Sequence, residues 1–93
     1  MLRRKGITTG GSVSNYTDPT LGNLAFIASG PDGALWFNNI DNHSIGRITT
    51  GGNVTNYTDS TISYPVGMAP GPDGALWFTD AGNNSIGRIT TPS

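Results

Sequence analysis

Few side chains in this sequence can do chemistry. There is one His, His43, and there is no Cys, which removes thiol nucleophiles, disulfides and Cys-ligated zinc. His43 lies in Asp41-Asn42-His43-Ser44, a run of turn-forming residues, and reads as an exposed turn residue. Asp80, Asn83 and Asn84, like Asp41 and Asn42, offer oxygens to a cation. Their spacing does not follow the EF-hand loop, and turn formation accounts for them. No metal ligand set and no cofactor site emerge. Arg47 and Arg88 could clamp an anion, but read as structural partners of the loop carboxylates Asp32 and Asp73. Trp36 with Phe37, and Trp77 with Phe78, could form a stacking platform for a ligand. Their recurrence at matching places, together with Leu35 and Leu76, points instead to packing between repeated units. Asn15, Asn42, Asn53, Asn56 and Asn83 each begin Asn-x-Ser/Thr, which reads as turn and strand-edge polarity copied by the repeat.

Composition narrows the function further. The 93 residues carry a net charge of −1, with 12% charged and 34% hydrophobic residues. A nucleic-acid partner would call for a basic surplus, and there is none. No apolar run approaches the roughly 20 residues of a spanning helix, so a membrane role is not expected. Met1-Leu2-Arg3-Arg4-Lys5 is basic like the start of a signal peptide, but no apolar stretch follows it, and a cytoplasmic location is the default reading. The 14 Gly and 6 Pro suit a chain with many tight turns.

The elements that must position these residues are set by an internal repeat. Gly30-Pro31-Asp32-Gly33-Ala34-Leu35-Trp36-Phe37 returns 41 residues later as Gly71 to Phe78. Ser44 to Thr50 returns as Ser85 to Thr91, and Asn15-Tyr16-Thr17-Asp18 as Asn56-Tyr57-Thr58-Asp59, at the same offset. A period near 41 belongs to four-stranded propeller blades. One period reads as strands A (Leu24 to Ser29), B (Ala34 to Asn38), C (Ile45 to Thr49) and D (Val54 to Thr58), joined by Gly/Asp/Asn turns. The chain then runs C, D, A, B, C, D, A, B, C. Residues 3–9 are a degenerate C strand, Val13 to Thr17 is a D strand without its own A and B, and the last blade, ending in C at Ile86 to Thr90, lacks D. The expected division is a partial blade over 1–23, a complete blade over 24–58 and a blade short of one strand over 59–93.

These blocks resemble the streptogramin lyase (virginiamycin B lyase) repeat family. The carrying residues are Gly71 to Asp80, Asn84 to Thr90 and the lead-in Tyr64-Pro65-Val66-Gly67-Met68-Ala69. The resemblance implies a seven-bladed ring in the family enzyme. It also implies catalysis by a His in a Pro-His-Gly-Ile lead-in, a Glu at the end of a Trp-Phe-Thr-Glu strand, and a divalent metal. Here the His positions hold Val66 and Ala25, and the Glu positions hold Asp80 and Asn39. Val and Ala cannot take a proton, so no catalytic residue is assigned and the chain is not expected to be an enzyme.

Geometry then dictates the expected assembly. Two blades cannot close a ring, and each open blade face would leave Leu, Trp, Phe and Ile in water, at roughly 25 cal/mol per Å2. Head-to-tail association of identical copies covers these faces. The fold expected is therefore all-β, two four-stranded antiparallel propeller blades per chain, closing into six or eight blades as a homotrimer or homotetramer. The N-terminal D strand would pair beside strand C of another copy's last blade, leaving Met1 to Lys5 disordered or outside the ring. The function expected is a non-catalytic, self-assembling propeller module. A partial streptogramin lyase and a lectin-like binding propeller are the alternatives. If a ligand is bound, the channel mouth at Asn23, Tyr64, Val66 and Ala25 is the expected place.

Overall fold

The computed structural model describes residues 11–92; the expected strand over 3–9 and the expectation for Met1 to Lys5 lie outside them. The elements are β1 (Leu24–Ser29), β2 (Leu35–Asn39), β3 (Ser44–Ile48), β4 (Val54–Thr58), β5 (Pro65–Pro70), β6 (Leu76–Asp80) and β7 (Ser85–Ile89). They form two antiparallel meanders, a four-stranded sheet β1-β2-β3-β4 and a three-stranded sheet β5-β6-β7. Single 3-10 turns, Ile40–Asn42 and Ala81–Asn83, join β2 to β3 and β6 to β7. Among the described residues no helix is long and apolar enough to cross a membrane. The arrangement is all-β and resembles part of a propeller.

Local chemistry explains the hairpins. Gly33 and Gly74 sit at φ +86° and +83°, in the left-handed region open to Gly, and each follows a Pro-Asp pair. Gly30 donates its backbone N–H to Ala34 at 2.8 Å and Gly71 to Ala75 at 2.8 Å, closing the two turns. The segment Val13 to Thr17, expected as a strand, has no sheet partner among the described residues and is irregular. A strand's backbone donors and acceptors need a neighbouring ladder, and the described residues place none beside it.

The two sheets stack face to face. Trp36 and Ile45 of the first sheet meet Leu76 and Phe78 of the second, with Ile62 of the connection between them. Tyr57, Met68 and Ile89 close the edges of this cluster. Trp36 stacks on Tyr57 with ring centroids 5.3 Å apart. Trp36 and Leu76 are both 0% exposed. Their repeat equivalents behave differently: Trp77 is 37% and Leu35 36% exposed. Within one chain these two lie on faces that no second sheet covers, so their expected packing would need another blade. Successive strand residues point to opposite faces, and the single joint covers only one face of each sheet.

Candidate functional site

The charged residues assemble into one motif used twice. In the first sheet Asp32, in the β1–β2 turn, accepts hydrogen bonds from the Trp36 indole N–H at 3.0 Å and the Ala34 backbone N–H at 3.3 Å. Arg47 Nε donates to its other oxygen at 2.8 Å. The guanidinium lies 5.9 Å from the centre of the Trp36 ring, so Asp32 ties β2 to β3 through both. Asp73, Trp77 and Arg88 repeat this at 3.0 Å and 2.8 Å. Burial works to raise the Asp32 carboxyl, but the bonds from Trp36, Arg47 and Ala34 outweigh it and hold it below the ordinary range. Asp73 is lowered to about 2, first by the Trp77 indole and then by Arg88.

A pH dependence follows from Asp73. A carboxyl lowered from 3.8 to about 2 on folding stabilises the fold fully above its unfolded value and loses that contribution as pH falls towards 2. The denaturant midpoint should therefore drop between pH 4 and pH 2. Asp73→Asn should drop less over the same range. Identical pH dependence in the two proteins would contradict this.

The positions that the family resemblance assigns to a carboxylate hold the loops together. Asp80 is buried and accepts from the backbone N–H groups of Ser63 at 3.1 Å and Tyr64 at 2.8 Å. Asn39 accepts from Gly22 N–H at 3.0 Å and donates to the Thr20 carbonyl at 2.9 Å. Each side chain thus fastens the lead-in before its sheet's first strand to that sheet's second strand, β6 or β2. Val66 and Ala25 lie on those first strands, β5 and β1.

Asn23 and Tyr64 sit just before them. Their backbone carbonyls accept from Ile40 N–H at 3.2 Å and Ala81 N–H at 2.9 Å. Both lead-ins belong to adjacent inner strands, since β1 packs beside β5. The Tyr64 side chain is exposed. His43 stands in the left-handed region at φ +49°, with Nδ1 2.7 Å from the Ser63 carbonyl oxygen. A carbonyl only accepts, so Nδ1 carries the proton there, and His43 links the first sheet to the second sheet's lead-in. Among the described residues no three His, Cys, Asp or Glu come together as metal ligands. With Asp80 engaged by two backbone donors, the residues present do not fit the divalent metal implied by the resemblance.

One residue escaped the sequence reading. Asn38 is fully buried; its side chain accepts from Phe26 N–H and donates to the Gly67 carbonyl, both at 3.3 Å. It joins the inner strands of the two sheets. The available signal was a break in the repeat, because Thr79 stands at the matching position.

The remaining features are two open apolar faces. On the outside of the first sheet Leu21, Ile27, Leu35, Phe37 and Ile48 line a groove of about 560 Å3, with Tyr16 at its rim. On the outside of the second, Trp77, Thr79 and Ile86 face water, with Ile86 66% exposed.

A profile of the virginiamycin B lyase family matches residues 3–93. The chain belongs to that family. Solved structures agree in fold. A virginiamycin B lyase from Staphylococcus aureus superposes with a TM-score of 0.81 at 46% identity, over 87% of this chain and 28% of that one. A streptogramin B lyase gives 0.81 at 48% identity, over 87% and 28%. A catalytically inactive His-to-Ala virginiamycin B lyase from Staphylococcus aureus, solved with quinupristin, gives 0.68 at 44% identity, over 72% and 23%. The chain thus spans under a third of the length of these lyases. A comparison with curated protein sequences returns no match.

Proposed function

We propose that this family member is a non-catalytic blade-pair module that builds a closed propeller from three or four copies of itself. One observation carries the reading. The two open faces are repeat copies of the two halves of the joint already inside the chain. Leu76 and Phe78, buried in the joint, and Ile89, half-buried against it, correspond at the 41-residue offset to Leu35, Phe37 and Ile48 on the open groove. Met68 and Ile62 correspond to Ile27 and Leu21, again apolar. On the other side, Trp36 and Ile45 of the joint correspond to Trp77 and Ile86. The back of one copy therefore offers the surface that the front of another is shaped to receive. Such a heterologous contact closes into a ring when its rotation divides a full turn.

The absence of a proton acceptor at Val66 and Ala25, and the engagement of Asp80 and Asn39 in loop contacts, support a role without catalysis. A second reading, a part of a streptogramin lyase, rests on the 46–48% identity to such enzymes.

Native mass spectrometry of the purified 93-residue chain tests the assembly. A single species of three or four chains is expected at micromolar concentration. A monodisperse, folded monomer would overturn the proposal. Incubating the same sample with quinupristin and Mg2+ tests the second reading, and opening of the antibiotic's ring would sink the non-catalytic assignment.

A further inference from the structure

The geometry points to a specific strand exchange: Val13 to Thr17 of one copy forms the fourth strand of the β5-β6-β7 sheet of the next, in a defined register. This rests on the proposed assembly and names how its joints are sealed.

Three observations carry it. First, the acceptor edge is duplicated. In the first sheet β3 is paired on its outer side by β4, with Ser44 opposite Thr58, Ile45 opposite Tyr57 and Ile48 opposite Val54. Strand β7 repeats β3 residue for residue as Ser-Ile-Gly-Arg-Ile, yet its outer edge carries no strand among the described residues.

Second, the donor is duplicated. Val13-Ser14-Asn15-Tyr16-Thr17-Asp18 matches Val54-Thr55-Asn56-Tyr57-Thr58-Asp59 at every place but Ser14. The turn that follows is also the same. Asp18 accepts from the Thr20 N–H and hydroxyl at 2.9 and 2.6 Å, and Asp59 from those of Thr61 at 2.9 and 2.7 Å.

Third, the donor is already in place. Tyr16 rims the outer groove of the first sheet beside Leu21, Phe37 and Ile48. Tyr57 rims the inner groove of the second beside Ile62, Phe78 and Ile89. Residues 13–17 thus stand where the last strand of a preceding blade would stand. They lie on the far side of the first sheet from β7, so when this chain assembles with itself the β7 edge they meet belongs to a second copy.

Transferring the β3–β4 register sets Ser85 opposite Thr17, Ile86 opposite Tyr16 and Ile89 opposite Val13. Tyr16 would then stack on Trp77 of the neighbour as Tyr57 stacks on Trp36 within the chain. An open edge of this kind, presenting unpaired N–H and C=O groups, is completed by β-augmentation.

Cysteine pairs read the register directly, because the chain has no Cys of its own. Directly opposed residues on antiparallel strands have Cα atoms about 4.5–5.5 Å apart, within disulfide range. The double variant Thr17→Cys with Ser85→Cys should give, on oxidation, covalent oligomers of three or four chains on a non-reducing denaturing gel. The pair Asn15→Cys with Ser85→Cys, two residues out of register, should give at least tenfold less. Native mass spectra of the reduced variants report whether they still assemble. Intact oligomers that do not cross-link at the first pair, or cross-link equally at both, overturn the strand exchange and leave face stacking standing. Monomers of the parent chain overturn the assembly itself.

Discussion

Leu76→Ala should destabilise the fold by about 2–5 kcal/mol, while Leu35→Ala should cost under about 1 kcal/mol in the dissociated chain. The two residues occupy matching places in the repeat, and propensity or composition gives no reason to separate them. The difference comes from the joint. Leu76 is 0% exposed in the cluster with Trp36, Ile45 and Phe78, so truncation leaves a cavity that close-packed neighbours fill only in part. Leu35 borders an open groove and loses little that water does not replace. The same Leu35→Ala change should weaken association between copies, since its face is the one proposed to receive Trp77 and Ile86 of a neighbour. Urea unfolding at nanomolar concentration separates the two effects, and native mass spectrometry of Leu35→Ala reads the second. Equal losses of stability from both variants at high dilution would contradict the single-joint account.

Gly87→Ala should destabilise by about 2–3 kcal/mol, and Gly46→Ala by somewhat less. Each Gly faces a Phe across the hairpin: Phe78 is paired with Gly87 and Phe37 with Gly46. The rings lie so close over the Gly backbones that an added Cβ would come within 2.1 Å of the Phe78 ring and 2.2 Å of the Phe37 ring. A Cβ there forces the ring aside. Phe78 is packed in the joint and can shift only toward the smaller groove beside Tyr57, whereas Phe37 borders the larger open groove and can tilt into it. Thermal or urea denaturation of the two variants measures the order directly. A neutral Gly87→Ala would mean that Phe78 is not held in place by the joint.

Much of the architecture could be read from residue order. The Pro-Asp-Gly turns, the consecutive Leu-Trp-Phe runs and the 41-residue offset located seven strands within a residue or two, because hairpin turns and strand alternation are local properties. The Asp32–Arg47 and Asp73–Arg88 partnerships were also legible, since the repeat carries both members together. The His43 turn was read as a turn, but its bond to Ser63 joins residues on different sheets. Asn38 was invisible for the same reason: its partners, Phe26 and Gly67, lie on two separate inner strands, and only the stacking brings them to one side chain.

The residue sequence by itself determined the repeat, the strand order within each meander, and that Val66, Ala25, Asp80 and Asn39 stand where the resemblance implies His and Glu. These are statements about which residues follow which. Only the tertiary structure decided that Trp36 and Leu76 are buried while Trp77 and Leu35 meet water, and that Val13 to Thr17 lies beside the first sheet with no strand partner among the described residues. Identical local sequences have identical propensities. Burial depends on what lies across the sheet face, and in this chain one joint covers one face of each sheet and leaves the other open.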